Sequence, residues 1–179
     1  MLQGKVICIT AIDTDVGKTI ATGLIGRFLL EKGYRVITQK ICQTGCTGVS
    51  QDILLHRKLM GMDLQQEDVD GLTCPYVFQE PCSPHLAARL ENAHIDCDLI
   101  TASTRKLASD YDYVLLEGVG GLMVPLQRDY LLADYLAGQC YTHLLVSCAR
   151  LGSINHTLSA LEIMKNRKLN FQGIIYNRY

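Results

Sequence analysis

Hydrophobic positions along this chain switch repeatedly between a continuous run and a helical period. The segment Lys5-Val-Ile-Cys-Ile-Thr-Ala11 is a nearly unbroken apolar run, as expected of a strand buried on both faces. Ile20, Ala21, Leu24, Ile25, Phe28 and Leu29 then recur at helical spacing, predicting a helix over residues 17–32 that Gly33 ends in a left-handed cap. A second strand is expected at 35–41, and Asp52 opens a short helix over 53–60. Residues 62–71 are acidic and poor in aromatics, which reads as an exposed connector. A proline-punctuated stretch over 75–84 precedes a helix reaching Leu90, and another helix is expected over 98–109. Tyr113-Val-Leu-Leu-Glu117 is a buried strand, a helix covers 131–137 and a further strand 142–149. Ser153 is placed to cap a helix carrying Ile154, Leu158, Leu161 and Met164 on one face, and a last strand runs toward Asn177.

Strands alternating with helices imply an α/β fold, a mostly parallel sheet with helices on both faces. At 179 residues the chain reads as one domain over 1–179, with neither repeats nor low-complexity tracts. In such sheets ligands collect at the carboxyl ends of the strands. The polar groups Asp13 to Thr19, Lys40 to Thr44, Glu117 to Gly121, and Asn177 all fall at strand ends.

The first of these is the most informative. Asp13-Thr-Asp-Val-Gly-Lys-Thr19 joins a strand to a helix start, where backbone N–H groups and the positive end of the helix dipole face an anion. Such a loop cradles a triphosphate, with Lys18 at the terminal phosphates and the Thr19 hydroxyl on magnesium. Asp52 and Glu117 are carboxylates that could join Thr19 around that hard cation. A carboxylate ending an apolar strand before Gly118-Val-Gly-Gly121 is costly unless a cation meets it, although bulk water could do the same. Local spacing leaves Asp52 as either a metal ligand or a helix cap, and Lys40 as either a second cation at the site or a solvated lysine. Two lysines with magnesium would suit phosphoryl transfer from ATP to an oxyanion.

A net charge of −1, with basic residues scattered rather than striped, argues against nucleic acid as a partner. No apolar run reaches membrane-spanning length and no signal peptide precedes the first strand, so a cytoplasmic protein is expected. Cys8 and Cys148 lie inside apolar runs, and Cys74, Cys82 and His85 match no zinc spacing, so the eight cysteines read as reduced and mostly structural.

The segments Asp13–Thr19, Lys40-Ile-Cys-Gln-Thr-Gly45, Glu80-Pro-Cys-Ser-Pro-His85, Glu117–Gly121, Leu151-Gly-Ser-Ile-Asn-His156 and Asn177 occur in the order seen in dethiobiotin synthetases, which this chain resembles over nearly its whole length. The resemblance implies a P-loop NTPase-like enzyme of biotin biosynthesis that joins CO2 to 7,8-diaminononanoate, phosphorylates the carbamate with ATP and closes a cyclic urea. It implies that Asp15, Val16, Gly17, Lys18, Thr19 and Ile20 hold the ATP phosphates, that Thr19, Asp52 and Glu117 coordinate Mg2+, and that Lys40 is catalytic together with Lys18. Thr14 and Thr44 would contact the reacting end of the substrate. Glu117, Gly118, Val119 and Gly120 would line the nucleotide site, and Asn177 with Arg178 would read the adenine. It further implies a homodimer in which Leu151, Gly152, Ser153, Ile154 and Asn155 bind the substrate's carboxylate tail across the interface.

The chain departs from the family pattern twice. Ala11 stands where the phosphate loop usually opens with glycine, and the cradle is expected to survive if φ there stays below zero. The resemblance also implies helices beyond the Asn177 strand that complete an adenine pocket and cover one face of the sheet, whereas the sequence stops at Tyr179. Three other readings share the phosphate loop. They are a cobyrinate amide synthetase-like ATPase, a partitioning-type nucleotide switch, and an inactive relative that binds nucleotide as an interaction module. A switch of that kind places a lysine early in the loop, where this chain has Asp13 and Asp15.

Overall fold

A computed structural model describes residues 4–178. The elements follow as β1 (Lys5–Ala11), α1 (Lys18–Glu31), β2 (Val36–Lys40), β3 (Gln43–Thr44), α2 (Gln51–Met60), α3 (Gln66–Val69), β4 (Val77–Phe78) and α4 (Pro84–Leu90). They continue as α5 (Cys97–Asp110), β5 (Tyr113–Glu117), β6 (Pro125–Gln127), β7 (Tyr130–Leu131), α6 (Leu132–Ala137), β8 (Thr142–Cys148), α7 (Ser153–Asn166) and β9 (Asn170–Asn177). Five strands form a parallel sheet in the order β2-β5-β1-β8-β9. The chain leaves β1 first toward β2 and later returns to its other side with β8, so a topological switch lies at the carboxyl end of β1. The register sets Lys40 opposite Glu117, and Glu117 opposite Ile9, in one row across three strands.

Both faces of the sheet are packed over β2, β5, β1 and β8, whereas no residue of the edge strand β9 is buried and its Phe171, Ile174 and Tyr176 are exposed. Val6, Cys8, Ile37, Val114, Leu116 and Leu145 meet Ala87, Ile100, Leu107 and Leu136 from α4, α5 and α6. On the other face Ile9, Ala11, Val36, Leu115 and Val146 meet Met60 of α2 and the Ala21, Ile25 and Leu29 side of α1. Here the helical stripe read from the sequence divides, because Ile20, Leu24 and Phe28 are exposed. What seats α1 against α2 is glycine: a Cβ on Gly23 would lie 2.7 Å from Leu59 Cδ1, and one on Gly26 would lie 2.8 Å from Met60 Sδ. Close helix approach depends on these missing side chains more than on the apolar stripe.

Other local expectations are corrected. The helix cap of α2 is Ser50, whose hydroxyl accepts from the Ile53 N–H, while Asp52 lies in the first turn. The cap of α7 is Gly152 at φ 88, and Ser153 is the first helical residue. Ile154 and Leu158 face solvent and Met164 reaches the core, so the apolar face of α7 is only partly covered. Residues 62–71 stay largely at the surface, as expected of a connector, but they contain α3, whose Asp68 is buried against Arg57. β3 and β4, invisible in the hydrophobic pattern, pair in parallel beside the site. All eight cysteines are free thiols. Cys8, Cys42, Cys46, Cys74 and Cys148 are buried, as small hydrophobes are. Among the described residues no helix is long and apolar enough to cross a membrane.

Candidate active site

The loop after β1 is built by backbone geometry. Ala11, at the last position of β1, is buried and is not among the residues with positive φ. The loop instead places its left-handed residues later, at Asp15 (φ 55) and Gly17 (φ 99). Gly17 caps α1 without a side-chain bond, leaving the first N–H groups of the helix available at its positive end. Lys18 is buried, and its Nζ donates to the Asp13 carbonyl at 2.8 Å. Burial and the nearby Lys40 ammonium push its pKa down to about 8.

Across the strand ends lies a buried ionic knot. Lys40 is only 4% exposed, so it is not a solvated lysine. Its Nζ lies 2.7 Å from Glu117 Oε1 and 2.6 Å from Asp52 Oδ2, and it also donates to the Gly118 carbonyl at 3.1 Å. Burial alone would lower the lysine's pKa, but the two carboxylates hold it above the ordinary range. Glu117 is fully buried, so bulk water does not solvate it. Burial alone would raise its pKa, yet Lys40 and His56 hold it well below the usual carboxylate range. The Thr19 hydroxyl lies 3.0 Å from Glu117 Oε1 and 3.2 Å from Asp52 Oδ1. Oxygens from three elements thus converge on one point, a donor set that suits a hard cation. Among the described residues no group of three or more His, Cys, Asp or Glu side chains could hold a metal. A site with two carboxylates matches magnesium, which takes the rest of its shell from water and phosphate.

These groups open into a cleft of about 890 Å³. Of the residues singled out in the sequence, Thr14, Asp15, Gly17, Lys18, Thr19, Ile20, Lys40, Thr44, Asp52, Glu117, Val119 and Gly120 line it. Val16 is buried beneath the loop and Gly118 packs against Leu132. Asn177 sits behind the loop, its Nδ2 donating to the Val16 carbonyl at 3.1 Å, and Arg178 is exposed. Leu151, Gly152, Ser153, Ile154 and Asn155 do not line the cleft of this chain. Arg150, just before this segment, pairs its guanidinium with Asp13 of the phosphate loop. The cleft wall also includes Cys42, Gln43 and the turn Pro81–Pro84, which were not assigned a role in the sequence. Their signal was there, since both belong to the segments quoted above. A wider cleft of about 1060 Å³ beside α4 and β6 is lined by the exposed Arg89 and Arg128 and lacks such buried charges.

A strand-to-helix phosphate loop at the switch point of a parallel sheet defines a P-loop nucleotide-binding protein. The model of a family described as an AAA domain matches residues 5–179. The fold is shared with the kinase domain of Escherichia coli tyrosine kinase ETK at TM-score 0.60 and 18% identity, covering 98% of this chain and 68% of that one. A ParA family ATPase from Chlorobium tepidum TLS superposes at TM-score 0.57 and 17% identity, covering 99% and 75%. At these identities the likeness is one of fold alone. Sequence relatives are far nearer. An ATP-dependent dethiobiotin synthetase BioD from Chlorobaculum tepidum is 56% identical over all of this chain and 75% of its own length. An ATP-dependent dethiobiotin synthetase BioD 2 from Haemophilus influenzae is 53% identical over 99% of this chain and 93% of its own. The chain belongs to the ATP-dependent dethiobiotin synthetase family.

Proposed function

We propose that the chain closes 7,8-diaminononanoate and CO2 into dethiobiotin at the expense of ATP, as a ligase of biotin biosynthesis. One amine adds to CO2 and loses a proton, giving a carbamate. A carbamate oxygen attacks the γ-phosphorus of ATP and ADP leaves. The second amine then attacks the carbamoyl carbon, phosphate departs, and the urea ring closes. The observation that carries this reading is Lys40, a buried ammonium held charged beside the phosphate loop, where transfer between two anions needs a cation.

In this reading Lys40 stabilises the carbamate and the charge that develops in transfer. Residues 15–20 hold the phosphates, with Lys18 swinging from the Asp13 carbonyl toward them. Thr19, Asp52 and Glu117 would hold Mg2+, which would offset the negative charge of the phosphates. Thr14 and Thr44 face the reacting amines, Gly118, Val119 and Gly120 line the nucleotide site, and Asn177 with Arg178 reads the adenine. A homodimer would bring residues 151–155 of one protomer to the cleft of its partner, so that the helix start takes the substrate's carboxylate. The exposure of Leu151 and Ile154 in that segment, and of Leu158 just beyond it, supports such a contact.

The test is a mass-spectrometric assay with diaminononanoate, bicarbonate, ATP and Mg2+. Cyclic urea and ADP that require all four components are expected. ATP binding without product would overturn the reading and favour a nucleotide-binding module.

A further inference from the structure

Glu117 is gripped from behind as well as from the cleft. His56, wholly buried on α2, places Nε2 2.7 Å from Glu117 Oε2 and Nδ1 3.0 Å from the Thr38 hydroxyl. Arg57 Nη1 donates to that same hydroxyl at 2.8 Å. Arg57 is itself held by Asp68 through two bonds, Nε to Oδ2 at 2.8 Å and Nη2 to Oδ1 at 2.7 Å. The Thr73 hydroxyl and the Gln65 N–H also donate to Asp68, at 2.7 and 2.9 Å.

The direction of each bond follows from the chemistry of its donor. A guanidinium only donates, so the Thr38 oxygen accepts from Arg57. The one Thr38 proton then has His56 Nδ1 as its nearby acceptor, which makes Nδ1 the bare nitrogen and puts the imidazole proton on Nε2. The reverse tautomer would aim a nitrogen lone pair at a carboxylate oxygen 2.7 Å away. Every donor therefore points one way, from Arg57 through Thr38 and His56 to Glu117.

We infer that His56 is a positioning residue: an imidazole locked by Thr38 and Arg57, whose Nε2–H fixes Glu117 Oε2 and thereby turns Oε1 toward Thr19 and Lys40. A glutamate needs such a hold because its terminal torsion is broad, and contacts at Oε1 alone leave the carboxylate plane free to turn. The arrangement parallels the way outer partners orient ligating groups around metals. The inference rests on the reading of Glu117 as a magnesium ligand.

Two measurements test it. Long-range 1H–15N correlation on the 15N-histidine-labelled full chain reads the ring protons directly, and a proton on Nε2 is expected at His56. A ring without a proton on Nε2 overturns the inference. Mn2+ titrated by EPR with a non-hydrolysable ATP analogue reads metal affinity without turnover. His56→Leu is expected to weaken Mn2+ by about 10–100-fold, and His56→Gln, which keeps an N–H for Glu117, to restore most of that loss. A folded His56→Leu with parental affinity overturns the inference, as does equal weakening by both substitutions. Should His56→Leu not fold, the Nε2 proton and the His56→Gln affinity decide the matter. A parent chain that makes dethiobiotin yet binds no Mn2+ rejects the metal ligand reading, and this inference with it, while leaving the reaction standing.

Discussion

Lys40 and Glu117 are register partners on adjacent parallel strands, and their side chains meet at 2.7 Å although 77 residues separate them. Neither has appreciable access to solvent. Each is tolerable in the interior because of the other, and the pair stands at the mouth of the phosphate loop. This is where the chemistry of the chain concentrates, and the predictions start there.

Lys40→Gln keeps a polar group but removes the charge that faces the transferring phosphoryl. Turnover is expected to fall by about 100-fold or more, with binding of an ATP analogue nearly intact. Steady-state kinetics beside calorimetric nucleotide binding checks this, and unchanged turnover would remove Lys40 from the reaction.

Glu117→Ala deletes the carboxylate shared by Thr19, Lys40 and His56. The Mg2+ concentration for half-maximal rate is expected to rise by about tenfold or more. Circular dichroism must first show that the variant is folded. Magnesium dependence identical to the parent would take Glu117 out of the metal shell.

Gly17→Ala adds a Cβ that would stand 2.5 Å from Asn177 Nδ2, at a residue with φ +99. Left-handed backbone at a residue with a side chain costs about 1–2 kcal/mol before any clash is counted. Weaker ATP binding and a lower melting temperature should appear together. An unaltered ATP affinity would show that the loop's shape does not depend on this glycine.

Asp68 gives stability a signed dependence on pH. Burial alone would raise its pKa, but the bonds from Arg57 hold it below the ordinary 3.8. The folded form therefore prefers the carboxylate. This contribution is complete above the ordinary value and is lost as pH falls below it through the depressed one. Asp68→Ala leaves Arg57 buried without its counter-charge and should cost about 3–5 kcal/mol at neutral pH. Urea unfolding at pH 7 and pH 3 is the measurement, and the penalty should shrink at the lower pH. An equal penalty at both would exclude the ion pair as its source.

The sequence alone determined what depends on near neighbours. β5 was read with its observed bounds, Tyr113–Glu117, because a run buried on both faces carries its own signal. The phosphate loop was legible because strand, left-handed glycine and helix start are consecutive in the chain. The strand-end rule then picked out Lys40 and Glu117 without any knowledge of contacts, while Asp52, at a helix start, stayed open between metal ligand and cap.

Tertiary structure decided the rest. Helical period says which face of α1 is apolar, but only the crossing with α2 makes Gly23 and Gly26 the seat and leaves Leu24 and Phe28 outside. Within the acidic stretch 62–71 only tertiary structure takes Asp68 out of solvent, through Arg57, a partner supplied by another helix. His56 carried no local signal at all, since a histidine becomes a directed donor only when its two neighbours are known. Strand order, with β5 inserted between β1 and β2, is what brings Glu117 beside Lys40. Local pattern records where apolar and polar groups lie along one element. Which charges neutralise one another is a property of how elements far apart in sequence come to be adjacent.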